Sequence, residues 1–249
     1  MLFLLGFVIF LVSIVFAMMG LGGGMLHVPL LIWFGYSLKS VAQPIGLLLN
    51  GLTAITAAFT YARKSMIDWR LAWPLALVTA VTAFFGSYTA KYIPDEVLII
   101  LFVVIIFIVL LRTILTLKNG GQKDFTELSK KRFYIAIVAT AGITFISAML
   151  GLGGGSLIVP LLIWLSYPTK RAAALSSFVV AVSSVAAFAG RVDDLHASWP
   201  MVILLCATVI VGARLGSLLM IKKIKPQYIQ YGYVLLLITI AVKLLVPYL

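Results

Sequence analysis

Charge is what this sequence has least of. Only 10% of its 249 residues are Asp, Glu, Lys or Arg, where a water-soluble domain has about a quarter. With 63% hydrophobic residues and a mean hydropathy of +1.17, a soluble fold would expose more apolar surface than water tolerates. Cysteine is almost missing: Cys206 stands alone in an apolar run, which excludes an internal disulfide and reads as a small core residue. Histidine occurs twice, and neither His27 nor His196 has metal-ligand company, so no metal site is expected. The serines lack a neighbouring histidine and carboxylate, so neither a hydrolase nor any other enzyme is expected, and no cofactor. The seven acids, Asp68, Asp95, Glu96, Asp124, Glu127, Asp193 and Asp194, all fall in loops or at the ends of apolar segments. Proton relays and many cation sites rely on carboxylates inside the membrane. Their absence from the apolar segments disfavours a cation pump and favours an anion held by dipoles and hydroxyls.

What is present is a series of apolar runs, at 2–19, 25–36, 41–62, 70–90, 97–117, 133–150, 156–167, 172–189, 199–221 and 227–247. Runs of this length suit bilayer-spanning helices better than the short alternating strands of an outer-membrane barrel. The formal charge of +12 sits in short loops between them, as membrane topology expects, and no basic soluble module points to nucleic acid. Met1 to Phe16 lacks the positive start of a cleaved signal peptide.

The chain repeats itself. Gly20-Leu-Gly-Gly-Gly-Met-Leu-His-Val-Pro-Leu-Leu-Ile-Trp33 returns as Gly151-Leu-Gly-Gly-Gly-Ser-Leu-Ile-Val-Pro-Leu-Leu-Ile-Trp164, differing only at Met25/Ser156 and His27/Ile158. Lys39 and Lys170 keep the 131-residue offset, and Trp73-Pro74 answers Trp199-Pro200 at an offset of 126. The expected domains are repeat 1 over 1–117, a cytoplasmic linker over 118–132 and repeat 2 over 133–249.

Whether the halves are parallel or inverted depends on the Gly-rich break. Residues 2–36 are too long for one span, yet 25–36 is short for a second. If each break is a hairpin, each half crosses three times and the repeats are inverted. Fifteen Lys and Arg then gather on one side, against four on the other: Lys39, Lys91, Arg191 and Lys243. If each break is a kink, the halves are parallel and the count is eleven against eight. The cytoplasmic bias of Lys and Arg favours inversion, with the linker inside and both termini outside. The expected fold is all-α: a polytopic helical membrane protein of two homologous, inverted repeats, each a Gly-rich broken-helix hairpin plus three transmembrane helices. The plasma (inner) membrane is its expected location.

Four glycines in five residues weaken a helix by about 1 kcal/mol each relative to alanine, so an unbroken helix through either motif is not expected. Backbone groups freed inside a membrane must be satisfied by protein, trapped water or ligand, and the positive N-terminus of the next short helix suits an anion. Paired interrupted segments are the best sequence pointer to the site of an inverted-repeat carrier. The candidate substrate-binding residues are therefore Gly20, Gly22, Gly23, Gly24 and Met25 with Gly151, Gly153, Gly154, Gly155 and Ser156. Gln43, Asn50, Ser176 and Ser177 join them, because amides and hydroxyls donate to an oxyanion without burying a charge. Ser183 and Ser184 lie further along the same segment. Close helix packing would also explain the glycines and serines. Arg214 is expected to snorkel to an interface.

At the duplicated Gly-Leu-Gly-Gly-Gly-x-Leu-x-Val-Pro-Leu-Leu motif the chain resembles the TauE/SafE family of sulfite exporters. Tyr61-Ala-Arg-Lys-Ser-Met-Ile-Asp68-Trp69-Arg70 is similar to that family's stretch after the second segment, with Gly190-Arg191-Val192-Asp193 as a weaker partner. Ala174-Leu-Ser176-Ser177 keeps a version of its small-residue pattern, which Ala42-Gln-Pro-Ile-Gly46 replaces in the first half. The resemblance implies export of sulfite, an organosulfonate such as sulfoacetate, or a related sulfur-containing anion, and the paired breaks suggest a secondary transporter working by alternating access. A passive anion channel and a non-transporting scaffold subunit are the alternatives. A coupling ion (proton or sodium) and a homo-oligomer are left open by the sequence.

Overall fold

The computed structural model describes residues 2–118, 130–165 and 167–221; most of the expected linker and the segment expected at 227–247 lie outside the described residues. Among the described residues the chain is helical throughout, with no strand. Six helices among the described residues are long and apolar enough to cross a membrane: Leu2–Met19, Leu38–Ala62, Trp69–Tyr92, Arg132–Met149, Lys170–Ala189 and Trp199–Ile221. The outer surface is strongly apolar by aqueous standards, and polar side chains are tucked into the interior. Phe3, Phe7, Leu77, Val81, Phe85, Val138 and Ile203 face outward, while Asn50, Thr53, Thr79, Ser183, Ser184 and Ser217 are buried. Lipid as solvent explains both, because polar side chains then find partners only in the interior.

Helix α1 (Leu2–Met19) stops where Gly20 adopts φ +68°. Leu21 N–H returns to the Phe16 carbonyl and Gly20 N–H to Ala17, the two bonds of a Schellman cap. Helix α2 (Gly24–Trp33) follows, ten residues long and about half of a span. Ser13 and His27 are fourteen residues apart and would sit about 21 Å from each other along one helix. Instead Ser13 Oγ lies 3.3 Å from His27 Nε2, so the first break turns the chain back on itself. A π-turn (Leu38–Ala42) leads into α3 (Gln43–Ala62), with Pro44 at its start where the missing N–H costs nothing. Helix α4 (Trp69–Thr89) is capped by Asp68, whose Oδ1 accepts from Arg70 N–H at 3.1 Å. Helix α5 (Asp95–Lys118) places Asp95 and Glu96 in its first turn, complementing the positive helix end.

The second half runs in the same order. Helix α6 (Lys130–Met149) ends at Gly151, φ +80°, in a second Schellman cap: Leu152 N–H on Ser147 and Gly151 N–H on Ala148. Then come α7 (Gly155–Trp164), also of ten residues, α8 (Thr169–Ala189) and α9 (Trp199–Ile221).

Packing is reciprocal between the halves. Helix α1 packs on α9 and α6 on α4, while α4 on α8 is answered by α9 on α3. Helices α3 and α8 cross at the centre. Their directions follow from three contacts. Arg191, just past α8, donates from Nη2 to the Lys39 carbonyl ahead of α3 at 2.9 Å. Tyr61, in the last turn of α3, donates to the Ala17 carbonyl at 2.6 Å. Gly20, three residues on, abuts Ala173 near the start of α8. So α3 begins where α8 ends, and the two run antiparallel.

Candidate functional site

The two Gly-rich turns meet at this crossing. Gly24 approaches the second turn so closely that a Cβ on it would lie 2.9 Å from the Leu152 carbonyl oxygen. Asn50 of α3 ties the junction together. Its Oδ1 accepts from Gly24 N–H at 2.7 Å, and its Nδ2 donates to the Leu152 carbonyl at 3.2 Å and to Ser184 Oγ at 2.6 Å. One amide thus caps α2, holds the second turn and reaches α8. Ser183 adds a bond from α8, donating to the Gly153 carbonyl at 2.7 Å. Gln43 does for the end of α6 what Asn50 does for the turn, its Nε2 donating to the Met149 carbonyl at 3.1 Å while Oε1 stays buried without a partner.

The glycines fit around these side chains. A methyl on Gly22 would collide with Asn50 Oδ1, and one on Gly153 with Ser184 Oγ and Asn50 Nδ2. Gly20 lies against the Ala173 backbone, and a Cβ on Gly151 would come within 3.0 Å of Gln43 Cα. Gly23 and Gly154 are the N-cap residues of α2 and α7, with φ of +145° and +82°. Met25 is buried in the first turn of α2. Gly155 begins α7, and at Ser156 only the backbone is described. Ser177 donates to its own helix, at the Ala174 carbonyl (2.7 Å). Ser176 is fully buried with no partner, on the α8 face it shares with Ala173 and Val180, which meet Gly20 and Gly22. Ten of the fourteen candidate positions are therefore the turns and the first residues of the helices that follow them. Gln43, Asn50 and Ser176 are gathered around these turns.

Other polar groups in this region had not stood out. Thr144 of α6 is fully buried, its Oγ1 has no partner, and a Cβ on Gly154 would lie 3.0 Å from it. Thr140 and Ser147, on the same face of α6, are likewise buried and unpartnered. The available signal was the repeat itself, because the 131-residue offset maps Ser13 onto Thr144.

Charges close the two ends of the bundle. At one end Lys39 pairs with Asp95 (3.1 Å), Lys91 with Asp194 (3.7 Å) and Arg191 Nε with Asp194 (2.8 Å). Arg191 is 1% exposed there; burial pulls its pKa down, and Asp194 and Asp95 act against that. At the other end Tyr167, between α7 and α8, has its pKa pushed up to about 12, first by burial and then by the charge of Asp68, with Arg171 opposing. Arg214 is exposed.

A sequence profile of the family described as Sulfite exporter TauE/SafE matches residues 5–244. The chain belongs to this family. Curated proteins similar to it include a probable membrane transporter protein of Methanocaldococcus jannaschii, 26% identical, the match covering 89% of this chain and 86% of the relative. Another is a probable membrane transporter protein of Bacillus subtilis, 24% identical over 81% of this chain and 82% of the relative. A third, from Xylella fastidiosa, is 27% identical over 84% and 81%. No solved structure matches. Membership of the TauE/SafE family and six candidate spans make this a multi-pass membrane transporter and not an enzyme.

Proposed function

We propose that this TauE/SafE protein is a secondary transporter that moves a small sulfur-containing anion, sulfite or an organosulfonate such as sulfoacetate, out of the cell across the plasma membrane. The observation that carries the reading is the meeting of two Gly-rich turns at the crossing of antiparallel α3 and α8, in an interior furnished with amides and hydroxyls. Every acid of the sequence lies outside the spanning helices or at their ends, so the interior suits an anion better than a cation. The anion binds where the turns approach each other, and Ser176, whose hydroxyl is unpartnered, is a contributor. The repeats are inverted. Two ends of the bundle support this: Arg191 is bonded to the Lys39 carbonyl, and Asp68 acts on Tyr167. Ile67, next to Asp68, also shares an apolar cluster with Tyr167, and both neighbourhoods join segments that a parallel arrangement would put on opposite sides of the membrane. Alternating access then arises as one repeat unit rocks against the other around the fixed crossing.

The test is uptake and counterflow in proteoliposomes, with labelled sulfite, sulfoacetate, sulfate and an unrelated carboxylate. Saturable, trans-stimulated flux of the sulfur anions is expected, with a raised half-saturation constant in Ser176→Ala. Flux that never saturates would make the protein a channel. Folded protein that carries none of the four would end the sulfur-anion reading.

A further inference from the structure

The two halves are nearly identical in motif and differ in how their polar groups are used. In the first half the start of α2 is mostly closed by the protein itself, with His27 Nδ1 left without a partner. Gly24 N–H is taken by Asn50 Oδ1, and Ser13 is paired with His27 Nε2. The 131-residue offset puts Thr144 at the place of Ser13 and Ile158 at that of His27. Ile158 has nothing to offer a hydroxyl. Thr144 Oγ1 is left without a partner, fully buried, beside Gly154, the N-cap of α7.

The same substitution of character runs along the whole face. Where α1 has Ile9 and Phe16, both fully buried and apolar, α6 has Thr140 and Ser147. Hydroxyls in a helix usually return to the carbonyl three or four residues back. In this chain Thr53, Thr56, Thr60, Thr82, Ser87 and Thr208 do so, at 2.8–3.0 Å. The three hydroxyls of α6 do not, although all are buried. They are a row of free donors leading to a helix N-terminus, whose first N–H groups have no partner within the helix.

We propose that the anion site is single and asymmetric: one oxygen of a sulfur oxyanion is held at the N-terminus of α7 by its first N–H groups and Thr144 Oγ1. Thr140 and Ser147 extend the donor row along α6, and the matching end of α2 is structural, closed by Asn50 and the Ser13–His27 pair. This rests on the anion-carrier reading above and says which of the two turns binds.

The experiment measures half-saturation for sulfite in proteoliposomes for the unaltered protein, Thr144→Val, Thr144→Ser and Ser13→Ala. Thr144→Val keeps the shape and loses the donor, so half-saturation should rise on the order of tenfold or more, the usual loss for a hydrogen bond to a charged group. Thr144→Ser should restore it to within about threefold, because the donor remains. Ser13→Ala should leave it within about twofold. Equal half-saturation in Thr144→Val and the unaltered protein, or a tenfold rise in Ser13→Ala alone, overturns the asymmetric site and leaves the carrier reading standing. No saturable sulfite flux in the unaltered protein overturns the carrier reading instead. A second measurement stands if Thr144→Val fails to fold. Thr144→Cys in a Cys206→Ser background should be modified by a small thiol reagent more slowly when sulfoacetate is present. No protection at Thr144→Cys would count against the site.

Discussion

Asn50 makes three hydrogen bonds that join α2, the second turn and α8, and its amide is not interchangeable. Replacing it by alanine orphans Gly24 N–H, the Leu152 carbonyl and Ser184 Oγ, all in the buried interior. Each such group costs about 1–3 kcal/mol, so Asn50→Ala should lower the thermal midpoint in detergent far more than Gln43→Ala, which loses one bond. Asn50→Asp should fare no better: it can still accept from Gly24, but it turns an acceptor toward the Leu152 carbonyl. Equal midpoints for Asn50→Ala and Gln43→Ala would contradict the arrangement. Ser65 offers the opposite sign. It sits at φ +52° in a Schellman-type end of α3, with Met66 N–H on Tyr61 and Ser65 N–H on Ala62. Ser65→Gly removes a left-handed strain of about 1 kcal/mol and should raise the midpoint. The sequence made Asn50 legible as a buried polar residue near the turns. Its work as a junction was not legible, because the Leu152 carbonyl and Ser184 are brought to it only by the crossing of α3 and α8.

The short helices and their caps make the same distinction at the scale of elements. That α1 and α6 must end at Gly20 and Gly151 follows from glycine content alone, and the structure ends them there. A reversal was not legible, because glycine permits a kink and a hairpin alike; the Ser13–His27 contact decides it for the first half. Boundaries drifted by a few residues, with α2 ending at Trp33, where Gly35 at φ +87° makes another cap. These glycines allow a controlled comparison. Gly22, Gly35 and Gly153 all have positive φ, so alanine at any of them meets a backbone cost of about 1–2 kcal/mol. Gly35 has open space around it, whereas Gly22 and Gly153 press on Asn50. Gly35→Ala should therefore fold and transport with a small loss of stability. Gly22→Ala and Gly153→Ala should lose several times as much and most of their sulfite flux.

For the molecule as a whole, the duplication and the helical membrane fold were open to reading from the sequence, and the sense of the repeats rested on counting Lys and Arg. The structure adds an independent argument. Lys39, Lys91 and Arg191, three of the four bases assigned to the sparse side, gather at one end of the bundle with Asp95 and Asp194. A kinked, parallel arrangement sends Arg191 to the side of 63–70 and leaves Lys39 opposite, so the 2.9 Å bond between Arg191 and the Lys39 carbonyl speaks for the inverted arrangement proposed above. The inverted arrangement predicts where reagents reach. In a Cys206→Ser background, a membrane-impermeant thiol reagent added to intact cells should label His196→Cys, whose position is anchored by its N–H on the Ser40 carbonyl, and spare Ser65→Cys until the membrane is opened. Labelling of both from the same side would return the parallel scheme. Labelling of Ser65→Cys alone would keep the inversion and reverse its orientation, placing the basic loops outside against the usual charge bias. Only the first pattern sets the Arg191 cluster at the outer mouth. If, on the carrier reading proposed above, the anion leaves past these ion pairs, Asp194→Asn, which removes the carboxylate charge that both Lys91 and Arg191 pair with, should change the rate of sulfite transport more than its half-saturation.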